Sequence, residues 1–217
     1  MKAKYHRERE ENIAPKYRLK RRTYEVIRAI KKYHPDEIKS ILDIGTADGL
    51  MLSAIKKEFP ETECVGLEYS QELIDTCQDK KIKVVQGDAQ NPPFPDNSFD
   101  AASATALIEH ISDPMKMLRA IRRVLKPGGI FIVTTPVPIF DDIAQLIGHI
   151  EKEIHQETFY LKKLKRFFQE AGFEVPETRK FMLSPIGFPK ELLIEDIIRF
   201  LKLDFILLNQ LIVGRKK

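Results

Sequence analysis

Acids and small residues stand in this chain where short aliphatic runs end, and their spacing suggests a ligand site. Ser40 to Leu50 reads SILDIGTADGL: an aliphatic run carrying Asp43, then a turn with Gly45, Ala47 and Gly49 at alternate positions. A short β-branched and aliphatic run of this kind reads as a buried parallel strand. Met51, Ile55 and Phe59 follow at helical spacing with Leu52 beside them, so a helix leaves the turn directly. Strand, glycine turn and helix N-terminus together gather backbone N–H groups where an anionic or zwitterionic ligand can sit. The same turn could instead do no more than link strand to helix. The chain has five histidines, the side chains best suited to take a proton near neutral pH. No paired metal ligands and no nucleophile triad accompany them.

Spacing separates this turn from a dinucleotide site, which wants G-x-G-x-x-G. The order Asp43, Gly45, Ala47, Gly49 resembles instead the D/E-x-G-x-G-x-G motif of class I S-adenosylmethionine (SAM) dependent methyltransferases, with Ala47 where the middle glycine stands. A methyl group there could crowd the methionine part of SAM if the position needs a positive φ. GDAQNPPFPDNSFD, residues 87–100, is similar to the family's G-D-A-x-x-L-P-F-x-D-x-S-F-D, and LKPGGIFIVTTP matches its helix-to-strand junction. Leu107 to Pro114, LIEHISDP, resembles the L-E-H-x-x-D-P segment of type 11 and ubiquinone-biosynthesis-like small-molecule methyltransferases. His155, Phe159 and Tyr160 resemble an H-x-x-x-F-S/T pattern of the same group, with Tyr160 in place of Ser/Thr.

The resemblance implies a Rossmann-like α/β fold: seven strands, mostly parallel with the last antiparallel, and helices on both faces. It implies SAM across the carboxyl ends of strands one to four, in contact with Asp43, Gly45, Thr46, Ala47, Gly49, Glu68, Tyr69, Asp88, Ala89 and Ala104. Glu68 would accept from the two ribose hydroxyls, Asp88 from the adenine amino group, and the Ala89 N–H would donate to a ring nitrogen. Position alone leaves Glu68 open as a helix-capping or loop acid. His110 and His155 are the catalytic candidates, each with a structural role as its alternative. No metal is implied.

Length and composition suit one large α/β domain. The chain has 217 residues, 43% hydrophobic content and a net charge of +4. No apolar run approaches the roughly 18 residues of a membrane span, and MKAKYHRERE lacks an apolar signal core, so a cytoplasmic address is expected. Cys64 and Cys77 lack metal or redox spacing and read as reduced structural thiols. The basic charge gathers at the ends, with 13 Lys/Arg against 6 Asp/Glu in residues 1–39 and Arg215, Lys216 and Lys217 at the other end. That predicts a basic arm and helix over 1–39, solvated or lid-forming, with RNA contact as the alternative.

The elements between these motifs read in order. Residues 1–18 are polar with Pro15 interrupting them, and predict a loosely docked arm; a helix follows from Leu19 to Tyr33. Phe94 and Phe99 are expected to plug the proline-rich loop onto the sheet. Residues 137–160 form a variable lid, with a helix over Asp141 to Ile154. Pro189 to Lys202 is so apolar that it should bury most of its surface, with core packing expected ahead of a partner, a greasy substrate or a bilayer face. The methyltransferase domain accordingly covers residues 40–217. The function expected is methyl transfer to an oxygen or carbon of a small molecule or lipid-linked precursor. Alternatives are an RNA methyltransferase using the basic arm and a non-catalytic SAM-binding protein, the latter suggested by Ala47.

Overall fold

The computed structural model describes residues 12–34, 37–138 and 158–217. Its elements are α1 (Ile13–Tyr33), β1 (Ser40–Ile44), α2 (Leu50–Glu58), β2 (Glu63–Glu68), α3 (Gln71–Ile74), β3 (Lys83–Gln86) and β4 (Phe99–Thr105). There follow α4 (Pro114–Val124), β5 (Leu125–Pro136), α5 (Leu161–Glu170), β6 (Phe173–Phe181), α6 (Glu191–Phe200) and β7 (Asn209–Lys216). Among the described residues, seven strands make one sheet in the order β3-β2-β1-β4-β5-β7-β6. Strands β1 to β5 run parallel, and β7 lies antiparallel between β5 and β6, as expected. The order reverses between β1 and β4, where an open α/β sheet leaves a crevice beyond the carboxyl ends of its strands. The lid helix expected over Asp141 to Ile154, and His155 with it, lies outside the described residues.

Alternation along the strands feeds two cores. Leu42, Ile44, Phe131 and Val133 point to one face, where Met117, Leu118 and Ile121 of α4 and Leu164 and Phe168 of α5 cover them. Ile41, Ile130 and Ile132 point to the other, under Val26, Ala29 and Ile30 of α1 and Met51, Leu52 and Ile55 of α2. Strand β1 is buried at all five positions, which is why it reads as an unbroken aliphatic run. Helix α4 starts where Asp113 accepts the Lys116 N–H at 2.9 Å and Pro114 occupies the first helical position. Such a cap is worth about 1 kcal/mol. Phe94 and Phe99 meet edge to face, ring centres 5.1 Å apart, and pin the proline-rich loop to the core as expected.

Two expectations change. Helix α1 begins at Ile13, ahead of Pro15, so that proline starts the helix and does not interrupt it. A first-turn proline costs little, because its missing N–H would have no partner within the helix. Helix α6 does not bury its apolar surface: its buried residues are Glu191, Glu195 and Ile198, while Leu193 and Phe200 are 57% and 86% exposed. The inner face is polar because α1 presents cations to it. Arg21 grips Glu195 through both carboxylate oxygens at 2.9 Å, and the Tyr17 hydroxyl donates to Glu191.

Strand β6 is held to α1 by a second set of charges. Glu177 accepts from Arg28 at 2.5 Å, Lys32 at 2.8 Å and the Tyr33 hydroxyl at 3.0 Å. Burial alone would raise this carboxyl, but the hydrogen bonds from Arg28 and Lys32 outweigh it and hold it down to about 2. A depressed carboxyl stabilises the fold above its ordinary value of 4.5, and that contribution is lost as pH falls towards 2. Glu177→Gln is therefore expected to lower stability by about 1–3 kcal/mol at neutral pH. Urea unfolding at a series of pH values should show the wild-type advantage shrinking between pH 4.5 and 2. A gap that stays constant through that window would remove Glu177 from the acid response.

Candidate functional site

The site grows from the turn after β1. The Gly45 N–H donates to the Leu67 carbonyl at 2.8 Å, the Thr46 N–H to the same oxygen at 3.2 Å, and the Gly49 N–H back to Thr46 at 2.9 Å. Gly45, Ala47 and Gly49 all have positive φ, at 68°, 53° and 77°. A Cβ on Gly49 would lie 2.8 Å from Ile82 and 2.9 Å from the Cys77 Sγ, so this position excludes any side chain. Ala47 takes the left-handed conformation at about 1–2 kcal/mol of local cost. Its N–H donates to the Glu68 Oε2 at 3.0 Å, and the Ser70 N–H donates to Oε1 at 2.9 Å.

Glu68 thus closes β2 while tying the first turn to the second. Each carboxylate oxygen keeps a further lone pair for a donor arriving from the crevice. Asp88, half-buried just beyond β3, accepts the Gln90 N–H at 2.8 Å and bridges to Asn91, which folds GDA into a tight corner beside it. Tyr69 is 73% exposed beside Glu68, and Ala89 packs against the core of the α4 face.

Other expected residues lie deeper. Asp43 is buried within β1, opposite Gly66 and Ser103, and accepts the Ser103 hydroxyl at 2.8 Å. It braces the strand just before the turn. Ala104 has no exposed surface and belongs to the core, so the open end of β4 is formed by Thr105 and Ala106. Thr46 is buried with its methyl against Gly66, and its Oγ1 has no partner among the described residues. His110 ends the turn Ile108–His110 that follows β4, half-buried.

Glu109 is the group that sequence reasoning passed over. It is buried, its Oε2 has no partner among the described residues, and burial pushes its carboxyl well up. Its own backbone N–H, His110, Arg22 and Thr135 oppose that shift without cancelling it. Thr134 Oγ1 and Gln210 Oε1, at the neighbouring ends of β5 and β7, are also buried and without partners among the described residues. The Gln210 amide donates to the Pro136 carbonyl at 3.2 Å and to the Phe159 carbonyl. The only signal in the sequence was an acid following Leu107 and Ile108 and preceding a histidine.

This edge fits SAM by the chemistry of its donors and acceptors. The residues lining it, 43–49, 68–70 and 88–89, include four carboxylates, Asp43, Asp48, Glu68 and Asp88, and no Lys or Arg. A pyrophosphate would be repelled there, whereas ribose hydroxyls, an adenine amino group and a sulfonium all meet acceptors or negative charge. A methyltransferase-domain family matches residues 17–178, three quarters of the chain and the whole of this edge. The chain belongs to the SAM-dependent methyltransferases.

Relatives and folds agree with that placement. The methyltransferase is 30% identical over 184 residues to demethylmenaquinone methyltransferase of Staphylococcus saprophyticus, covering 71% of this chain and 78% of that protein. The crystal structure of a SAM-dependent methyltransferase from Thermotoga maritima, described as a possible histamine N-methyltransferase, matches with a TM-score of 0.67 at 20% identity. That match covers 99% of this chain and 95% of the other. Phosphoethanolamine N-methyltransferase 2 of Haemonchus contortus, solved with SAM bound, matches with a TM-score of 0.64 at 21% identity, over 89% of this chain and 52% of the other. At such identities these two structures speak for the fold alone.

Two substitutions test the turn of this methyltransferase. Ala47→Gly is expected to stabilise the protein by about 0.5–1 kcal/mol, the relieved left-handed cost less the freedom glycine adds to the unfolded chain. Urea unfolding measures it, and a loss of stability would mean that the alanine methyl contributes packing. Glu68→Gln keeps the shape and removes the charge, so SAM affinity should fall on the order of tenfold by isothermal titration. Unaltered affinity in a folded Glu68→Gln protein would take that carboxylate out of the cofactor site.

Proposed function

We propose that this methyltransferase acts on a small or lipid-linked acceptor, at a ring carbon or an oxygen whose nucleophilicity depends on losing a hydroxyl proton. Quinol-type compounds are the first class to test. The observation that carries the reading is the buried Glu109 carboxyl, whose Oε2 has no partner among the described residues and which is adjacent in sequence to His110, just past the open end of β4. The name of the demethylmenaquinone methyltransferase relatives supports the same acceptor class.

When bound, SAM supplies an electrophilic methyl group on a sulfonium, and its transfer is an in-line displacement. The protein's contribution is to hold nucleophile and methyl carbon in a near-attack arrangement, an effect that reaches about 7–11 kcal/mol in favourable cases. Gly45, Thr46, Ala47 and Gly49 shape the cradle, with Asp43 bracing it from within β1. Glu68 and Tyr69 would hold the ribose, and Asp88 and Ala89 the adenine. On the acceptor side, a phenolic hydroxyl gives its proton to Glu109 or His110 as the new bond forms, and the ring or oxygen gains the electron density the methyl group requires. Burial raises the proton affinity of the Glu109 carboxyl above that of an ordinary carboxylate, the direction that favours its taking a proton. His155, the other expected base, stands outside the described residues and keeps its candidacy on sequence.

An RNA acceptor is less favoured because much of the positive charge on α1 is engaged within the fold: Arg21, Arg28, Lys31 and Lys32 pair with Glu195, Glu177, Glu58 and Glu177. The test is methyl transfer from radiolabelled SAM to a reduced demethylated prenyl-naphthoquinone and to short-chain phenolic analogues. Glu109→Gln is expected to lower kcat on the order of 100-fold with little change in SAM affinity, consistent with the usual weight of a general base. His110→Asn tested in parallel tells which of the two takes the proton. Full turnover in both variants, or label appearing only in RNA, would overturn the reading.

A further inference from the structure

Helix α6 is built inside out. Positions 191, 195 and 198, one helical face, turn inwards and carry two glutamates; the opposite face turns outwards and carries Leu192, Leu193, Ile197, Phe200 and Leu201. Leu203 and Phe205, which follow the helix, are exposed as well, as are Ile186 and Phe188 ahead of it. A water-facing helix normally shows the reverse arrangement, and an apolar patch of this extent marks a contact surface.

Its charges say what the contact is. Two acids of α6 are withdrawn: Glu191 takes the Tyr17 hydroxyl and two backbone N–H groups, and Glu195 takes Arg21; the third, Asp196, is exposed on the outer face and its charge is matched by Arg199 at 2.5 Å. Lys190 at one end of the helix and Lys202 just past the other are exposed. Lys16 and Lys20 are exposed on α1, along the turns that Tyr17 and Arg21 clasp to α6. The result is an apolar strip with cations at its margins, the combination that sits at the headgroup boundary of an anionic bilayer. A second copy of the chain is a poorer occupant, because a self-complementary pair would set these lysines against one another. None of the helices among the described residues is long and apolar enough to cross a membrane, so the contact is one that lies along the surface.

Topology places this strip at the same end of the sheet as the site. Helix α6 joins the end of β6 to the start of β7, and there Phe181 pairs with Asn209 and Asn209 with Pro136, at the carboxyl end of β5. Glu68, Asp88 and Glu109 stand at or just past the carboxyl ends of β2, β3 and β4, on that same end of the sheet. We propose that the outer face of α6 docks the enzyme on an anionic lipid surface, with the crevice opening at the membrane boundary. An acceptor with a long apolar tail could then reach the site without leaving the lipid, though the docking itself stands on α6 and not on the identity of the acceptor.

The chain contains no tryptophan, which gives a clean reporter. Phe200→Trp in the full chain, titrated with phosphatidylcholine vesicles with and without phosphatidylglycerol, should show a blue-shifted emission and quenching by brominated lipids, stronger with the anionic vesicles. Adding Lys190→Gln and Lys202→Gln should weaken binding to the anionic vesicles on the order of tenfold, and high salt should do the same. Adding Leu193→Ser and Ile197→Ser, both outward-facing, should abolish it while circular dichroism stays unchanged. If these serines unfold the protein, the salt and lysine arms decide alone. No spectral change with either vesicle, or a change that follows protein concentration without lipid, would overturn the proposal, the second in favour of self-association. The vesicles hold neither SAM nor acceptor, so either result leaves the methyl-transfer reading to its own assay.

Discussion

The interaction on which the site depends is the pair of bonds that Glu68 accepts from the Ala47 and Ser70 N–H groups. One carboxylate at the end of β2 fixes the turn after β1 and the start of the segment after β2, so two loops that a sheet would leave independent move together. It also explains how the turn tolerates an alanine. Left-handed backbone costs an L-residue about 1–2 kcal/mol, and a charge-assisted hydrogen bond from the same residue returns about 1.5–3 kcal/mol. Ala47 is therefore held in the conformation a glycine would adopt freely, and its presence is no sign of a site that has lost its ligand. A group that shapes the cradle also lines it, so binding and local order at this position are not separable quantities.

A second constraint works at the other end of the molecule, where buried charges decide the orientation of helices. Glu25, fully buried in α1, lies between Arg28 at 2.8 Å and the more distant Arg21 and Arg179, at 3.6 and 3.5 Å. Glu195 of α6 holds Arg21 and also accepts the Met182 N–H at 2.8 Å. Burying such groups gains little net stability over a hydrophobic equivalent, but separating any one from its partners costs about 3–5 kcal/mol. The network therefore acts on geometry: α6 cannot rotate its leucines inwards without stranding Glu195 and Arg21. The exposed apolar face of α6 follows from the polar clasp beneath it.

These two constraints mark what was legible in the sequence. The strands and the glycine turn were, because a parallel strand buried on both faces leaves a run such as SILDI, and because Gly45 and Gly49 sit at positive φ where other residues are strained. The antiparallel place of the last strand beside the sixth came from family resemblance, which the pairing of β7 with β6 bears out. The start of α1 was misread because proline breaks a helix only beyond its first turn. The orientation of α6 was out of reach, since periodicity reveals a stripe and not the side on which the rest of the chain lies. Asp43 and Ala104 show the same limit: their place in the motif was visible, but the depth at which Ser103 and the core hold them is set by tertiary packing.

Glu109 shows why chemistry at the acceptor side is the hardest part to read. A glutamate is hidden here because it falls in the turn that closes over the end of β5, and that position depends on the path of the chain after β4. An unpartnered buried polar atom costs about 1–3 kcal/mol, and oxygens of Glu109, Thr134 and Gln210 have no partner among the described residues, the first in the turn after β4 and the others near the paired ends of β5 and β7. Such oxygens suit a pocket whose hydrogen bonds are completed by something that arrives. A carboxyl kept from water is also the kind of group that can take a proton from an acceptor and return it after the product leaves, with the raised affinity supplied by burial itself.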